Sequence, residues 1–481
     1  MTRMDHHITE SKDKIPVKQK VAYGLGWMST NVAVNSFSNM TLLIYNSGLG
    51  LNPILLGVAQ FVPRLWDAFT DPMIGNLSDN TRSKFGRRIP YIFFGAFLLG
   101  LAFTLLWMAP KGWSEYVTFG YIMVVSLFFF TAATIYDVPR GALGFEMTDD
   151  YHERTRLFAY GSFFINVGAL TTPWLYFAAT RKVFKDEVEG MKYVGYFMGG
   201  LMLFGGLVCS FICKERKTQQ VKHQARVKFW DSISMTSKNR TFIWLLAIVL
   251  PVTIGFYFVN GFSQYIMLYY VYGGDKANAS VLMGWAGTLW AGLSLPGVFV
   301  MTYIATRIGK SKTVMLFLII MALGNSLKIV CYSKVHPWLV LIPTASLSLG
   351  MLVLFSLVYA MLADICDEDE LKTGKRREGS YQAVYGWWWK IGIAGGLLIS
   401  GILLKATGFD AKFAIQSEST LFWLRFWEIG LPSVMCLISV LLLIKYPLTE
   451  QRAYEIKDLL EKRKRASLEA LTVEQENVQK T

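Results

Sequence analysis

The chain has 481 residues, 53% of them hydrophobic and 17% charged, with a net charge of +14. Soluble domains carry about 25% charged residues, and runs such as "YIFFGAFLLGLAFTLLWMA" and "YIMVVSLFFFTAATIY" approach the roughly 20 residues that cross a bilayer. This excludes a soluble globular protein. The basic residues lie in short segments between apolar runs, so the charge is a topology signal and no nucleic-acid partner is expected.

The first 20 residues are polar and hold no signal-peptide core. Twelve apolar windows follow, near 21–45, 53–75, 90–110, 117–141, 157–180, 193–213, 241–272, 278–307, 312–333, 338–362, 381–405 and 421–446. They predict an all-α membrane protein of twelve transmembrane helices in two six-helix bundles, residues 21–213 and 241–446. These are joined by a loop at 214–240 and flanked by tails at 1–20 and 447–481. The two halves share a Gly- and base-rich tight loop at the same place, "GNLSDNTRSKFGRR" after span two and "ATRIGKSK" after span eight. Two halves around a central site is a common transporter plan.

Basic loops at 76–89, 142–156, 214–240 and 363–380 all follow even-numbered spans. By the positive-inside rule that side, and both termini with it, is cytoplasmic in the cell (inner) membrane. "TRKVFKDEVEGMK", on the other face, is a mild exception. The last tail carries Tyr454, Ile456, Leu459 and Leu460, a short amphipathic helix expected to be solvated or surface-lying. The cysteines at 209, 213, 331, 366 and 436 lack metal spacing, and Cys209 and Cys213 read as small helix-packing residues.

A charge at bilayer depth costs about 2.5 kcal/mol or more, so charges inside the spans are the sharpest signal. Lys328, Arg425 and Glu428 fall nearer the outer ends of their spans, where snorkelling is easy. Asp67 and Asp71 are i,i+4 on span two and face the same way. Buried carboxylates repel unless something positive sits between them. The pair makes a hard-cation site with Thr70 as a helper; the alternative is a latch with Arg64 or the loop arginines. Asp137 shares its face with Thr134, whose hydroxyl is a further cation ligand, or else Asp137 is balanced by Arg140. Lys390, after three tryptophans and on the face of Trp387, requires a partner among Asp67, Asp71 and Asp137, or else snorkels. Asn31, Asn35, Ser38 and Asn39 on span one, Ser162 and Asn166 on span five, and Tyr257, Asn260 and Gln264 on span seven form polar stripes. Amides with aromatic platforms suit a neutral, hydroxyl-rich ligand; helix–helix hydrogen bonding is the alternative.

Three stretches, "RLWDAFTDPMIGNLSDNTRSKFGRR", "YDVPRGALGFEMTDDYHERTRL" and "ADICDEDELKTGKRREGSYQAVYGWWWKIG", resemble the glycoside–pentoside–hexuronide:cation symporters (the melibiose permease family) of the major facilitator superfamily. The resemblance spans both halves. It implies alternating access and uptake coupled to Na+, Li+ or H+, with no other cofactor. Asp67 and Asp71 match the family's cation-binding aspartates, Thr134 its cation-site threonine, and Thr70 the place of an asparagine helper. Asp137 matches a sugar-binding aspartate, and Lys390 a lysine near the cation site. The galactoside pocket departs: Asn31 replaces an aspartate, Gly141 a tryptophan and Ser162 an arginine.

The expectation is a secondary active transporter, a cation-coupled symporter of a sugar or sugar-like solute. The cation would bind Asp67, Asp71, Thr134 and Thr70, and the solute Asp137, Asn31, Asn35, Asn166, Asn260 and Trp387, with Lys390 and Arg64 coupling the two. A carrier of lysophospholipid or another amphipathic solute on the same fold is the alternative, and a non-transporting sensor is a third reading. The sequence holds no nucleophile–base pair, metal triad or phosphate loop, so no enzyme is expected, and it marks no obligate protein partner besides membrane lipid.

Overall fold

Apolar runs of bilayer length fold as helices because lipid leaves the backbone no other hydrogen-bond partner. The computed structural model describes residues 13–148, 150–215, 234–374 and 377–463. Of the expected segments, 1–12 of the first tail, 216–233 of the central loop and 464–481 of the last tail lie outside the described residues.

Among the described residues there are twelve helices of 17 residues or more and no strand. The first half holds α1 (Val17–Leu42), α2 (Pro53–Asn80), α3 (Ile89–Leu105), α4 (Glu115–Glu146), α5 (Tyr151–Thr171) and α6 (Glu187–Ile212). The second holds α7 (Arg240–Tyr265), α8 (Lys276–Ile308), α9 (Lys310–Cys331), α10 (Leu341–Thr373), α11 (Glu378–Ala406) and α12 (Glu418–Ile444). The first helix of each half runs on into a π turn, Leu43–Gly48 after α1 and Ile266–Val271 after α7, which marks the repeat that the sequence shows only weakly. Pro173 stops α5 short, and the span resumes as Trp174–Ala179.

Seven helices, α4, α6, α7 and α9 to α12, are long and apolar enough to cross a membrane by themselves, and α8, bent by 43° at Pro296, adds an eighth. Helix α3 is apolar but only 17 residues long. Helices α1, α2 and α5 fail on composition, and they are the helices that carry Asn31, Arg64, Asp67, Asp71 and Asn166. Polar residues that line a site are what dilute the apolar signal. Helix α10 is 33 residues long and enters the expected loop at 363–380, reaching Thr373. The apolar window reports the bilayer's thickness, whereas the charged last turns continue the helix into water.

The halves meet chiefly at the face away from the termini. There α2 and α11 touch backbone to backbone, because a Cβ on Gly401 would strike the Pro53 carbonyl oxygen and the Gly57 backbone. Tyr265 Oη lies 3.0 Å from both the Leu42 carbonyl and Asn46 Oδ1. Trp174 Nε1 donates to Thr288 Oγ1 at 2.9 Å, and Lys276 pairs with Glu187 at 2.5 Å. These contacts hold the halves together on that face.

On that terminus-bearing face, Glu215 accepts the N–H groups of Arg87, Arg88 and Ile89, which caps α3. Arg87 and Arg88 pair with Glu146, and Arg88 also pairs with Asp79. The loop arginines are thus engaged within the first half by Glu146 and Asp79 rather than by Asp67 or Asp71, and Arg82 and Lys84 are exposed. The tail residues 450–463 are helical, yet Ile456 and Leu460 are buried against the second half. Tyr454 and Leu459 point outward, so the tail helix is docked rather than merely surface-lying.

Two expectations change. Lys328 and Glu428 do not snorkel: they form an ion pair of 2.7 Å between α9 and α12, with side chains 3% and 0% exposed. Tyr332 Oη donates to the same carboxylate at 2.8 Å. Their depth along the span places them near an outer end, but their helix face points into the bundle, where snorkelling has no route to water. Arg425 does lie near the interface, held by Tyr270 Oη and the Ile329 carbonyl.

Candidate functional site

Helix α2 presents Asp67 and Asp71 on one face, as the i,i+4 spacing requires. Lys390 of α11 reaches across from the other half. Its Nζ lies 2.8 Å from Asp67 Oδ2 and 2.5 Å from Asp71 Oδ2. On the opposite side of the two carboxylates, Thr134 of α4 places Oγ1 3.0 Å from Asp67 Oδ1 and 3.1 Å from Asp71 Oδ1. Thr70 completes the group, with its Oγ1 3.2 Å from Thr134 Oγ1.

Counting hydrogens shows what this arrangement can hold. The Thr70 hydroxyl donates to the Asp67 carbonyl at 3.2 Å, so its one hydrogen is used. Thr134 then has a single hydrogen for three neighbouring oxygens, on Asp67, Asp71 and Thr70. A cluster of oxygens short of hydrogens suits a hard cation that takes oxygen ligands. Among the described residues no group of three or more His, Cys, Asp or Glu side chains converges.

Arg64 pairs with neither carboxylate. Its Nη2 donates to Ser38 Oγ at 3.2 Å, and its guanidinium lies 4.7 Å from the centre of the Phe130 ring. It ties α2 to α1 and α4 and leaves the aspartates to Lys390. Asp137 takes the alternative role anticipated from its spacing, an ion pair with Arg140 one turn on. Arg140 is fully buried and stacks on Trp27 at 3.9 Å, while the Asp137 side chain is 38% exposed. Asp71 is 36% exposed, so both carboxylates face the open side of the site.

The amides lie on other helices, α1, α5 and α7. Asn35 Nδ2 donates to the Asn31 carbonyl at 2.9 Å, and Asn39 Nδ2 to the Asn35 carbonyl at 2.8 Å. Each spends one N–H on its own helix and keeps a second N–H and its Oδ1 for a ligand. Asn31 Oδ1 is buried without a hydrogen-bond partner among the described residues. Asn166 donates to the Ser162 carbonyl, and its Oδ1 lies 3.4 Å from Ser294 Oγ of α8 in the other half, whose hydrogen goes to the Ala291 carbonyl at 2.7 Å. Asn260 on α7 and Trp387 on α11 are half-buried. Of the three tryptophans, Trp388 bonds the Leu246 carbonyl and Trp389 packs on Phe355, which leaves Trp387 on the lysine's side. Sequence reasoning missed Glu146 and Glu215 as partners of the arginine loop, because both are remote in sequence from it.

The description "MFS/sugar transport protein" fits residues 22–450. The Escherichia coli (strain K12) glucuronide carrier protein homolog is 24% identical, covering 94% of this chain and 97% of its own. The Gallus gallus sodium-dependent lysophosphatidylcholine symporter 1 is also 24% identical, covering 94% of this chain and 90% of its own. A crystal structure of a D-xylose–proton symporter superposes with a TM-score of 0.66 at 13% identity, covering 91% of this chain and 99% of that one, and shares the fold. With a matched region that runs from within α1 to beyond the end of α12, the chain is a multi-pass membrane protein and belongs to the MFS/sugar transport protein family.

Proposed function

We propose that this protein is a symporter that couples a monovalent cation, Na+, Li+ or H+, to the movement of a sugar or sugar-like solute across the cell membrane. The observation that carries this reading is the convergence of Asp67, Asp71, Thr134 and Lys390 at the junction of the halves. Lys390 occupies the place of the cation, so lysine and cation compete for the same two Oδ2 atoms. A cation that takes them releases one tie between the halves, and the solute then binds along Asn31, Asn35, Asp137, Asn166, Asn260 and Trp387. Each ligand favours the loaded state and therefore raises the other's affinity by the same factor. The excess of basic residues in its loops favours a cytoplasmic side for the terminus-bearing face, and on that reading the halves are closed against each other on the outer face.

Two relatives at equal identity carry different names, one of a glucuronide carrier and one of a lysophosphatidylcholine symporter, so relatedness does not choose the solute. The lining favours a sugar: amides on three helices offer paired donors and acceptors, which match hydroxyls better than acyl chains. The test is counterflow in proteoliposomes with a panel of labelled sugars, with and without Na+ or a proton gradient, beside lysophosphatidylcholine flux. Sugar counterflow stimulated by one cation and lost in Asp67→Asn supports the reading. Flux of the lysolipid alone, or sugar movement indifferent to Asp67→Asn and to every cation, overturns it.

A further inference from the structure

The short loop "ATRIGKSK" finds no use in the central site, nor does the tail helix 450–463. The two face each other. Helix α8 ends at Ile308, Gly309 turns the chain with φ +86°, and α9 begins at Lys310. The tail helix folds back beside this turn, and a cavity of about 550 Å³ lies between them, floored by Met361 and Leu443. That volume lies within the range of small-molecule sites.

The cavity has a cationic mouth and an apolar edge. Lys310 Nζ lies 2.5 Å from Asp364 Oδ2, and Lys457 Nζ lies 3.3 Å from Asp364 Oδ1, so two ammonium groups share one carboxylate. Lys312, also lining the cavity, makes no ion pair among the described residues. Glu450 is the other acid in the lining, and it packs against the Gly309 turn. Three lysines against two acids leave a surplus positive charge. At the edge, Ile444, the last residue of α12, and Tyr454 of the tail helix are 66% and 64% exposed.

We propose that this cavity seats one anionic phospholipid, with its phosphate between Lys310, Lys312 and Lys457 and its acyl chains along Ile444. Basic pockets between transmembrane helices at the membrane surface select anionic head groups. A free phosphate-bearing solute would use the lysines and leave Ile444 bare, whereas a lipid uses both. The bound lipid would hold the tail helix against the ends of α8, α9 and α10.

The test uses the full-length protein in phosphatidylcholine nanodiscs, titrated with phosphatidylglycerol and read by native mass spectrometry. One phosphatidylglycerol is retained by the wild type. Retention is about fivefold weaker in Lys312→Gln and about 25-fold weaker in Lys312→Gln/Lys457→Gln, from the attraction of each lysine to an anionic head group. Lys312→Gln breaks no ion pair among the described residues, so its effect on retention is not confounded by loss of the Asp364 contacts. Three outcomes overturn the proposal: unchanged retention in both variants, equal retention of phosphatidylcholine, or displacement of the lipid by equimolar glycerol 3-phosphate, which would mark a site for free phosphate esters. None of these readouts depends on transport, so their failure is separate from failure of the symport reading.

Discussion

Lys390 Nζ lies 2.5 Å from Asp71 Oδ2, and the two residues belong to different halves of the molecule. The contact is set from a distance: the glycines at Gly57 and Gly401 bring α2 and α11 together, and about three to four helical turns further along, lysine meets aspartate. On the proposed reading, Lys390 offsets one of the two carboxylate charges when no cation is bound. Its removal should split transport into two parts. Lys390→Gln removes the competitor, so the cation concentration for half-maximal counterflow should fall about tenfold, the range of a charged hydrogen bond. Net uptake should fall by at least about tenfold, because the empty carrier must return with two uncompensated buried charges. Counterflow, which never uses the empty carrier, should persist. Measuring both in the same proteoliposomes checks this, and an unchanged cation dependence would contradict the competition.

Thr134 offers a finer probe of the same seat. Its hydroxyl touches both carboxylates, and no other neutral group does so among the described contacts. Thr134→Val keeps the shape and removes the oxygen, so cation activation should weaken about tenfold, as expected for a bond to a charged group. Thr134→Ser keeps the oxygen and should stay near wild type. Cation titrations of counterflow distinguish them; equal behaviour of Val and Ser would mean that the hydroxyl is not a ligand.

The site's core was legible because it breaks a rule loudly. Two carboxylates on one helical face cannot be hidden in lipid, and Lys390 had only three acids of comparable depth to meet. The structure selects two of them, Asp67 and Asp71. Asp137 was ambiguous because Arg140 three residues on and Thr134 three residues back satisfy the same spacing. Lys328 and Glu428 were misread for another reason: they are 100 residues apart, and depth along a span says nothing about which face a side chain takes. Helix ends were equally opaque, since the charged turns of α10 carry no apolar signal.

Asp275 gives a pH-dependent prediction outside the membrane. It caps α8, accepting the N–H of Ala277 at 3.0 Å, the N–H of Asn278 at 3.2 Å and Asn278 Nδ2 at 2.7 Å. The Asn278 backbone N–H, then its side-chain amide, hold the carboxyl below its usual range. A depressed value in the folded state means that the stabilisation is present above the ordinary aspartate value of about 3.9 and is lost as pH falls through the lowered one. Asp275→Ala should therefore lower stability by about 1 kcal/mol at neutral pH. The gap should narrow below about pH 4. Thermal unfolding of both proteins at neutral and acid pH measures it, and a gap constant across that range would contradict the cap.

The Lys328–Glu428 pair makes the last prediction, because it binds two helices at the rim of the second half into one body. Glu428 Oε1 receives both Lys328 Nζ and Tyr332 Oη, and neither charge reaches water. Taking away one partner leaves the other buried and uncompensated, at about 3–5 kcal/mol. Replacing both by apolar residues of similar volume removes the desolvation penalty along with the attraction, and is often neutral. Glu428→Gln should thus unfold at a clearly lower temperature than wild type, while Lys328→Met/Glu428→Leu should recover most of the loss. If the half must move rigidly for the site to alternate, Glu428→Gln should also slow counterflow without changing the cation dependence, since it lies far from Asp67 and Asp71. Thermal unfolding in detergent together with cation titrations of counterflow tests both halves of the statement. A Glu428→Gln protein as stable as wild type would show that the pair holds nothing together.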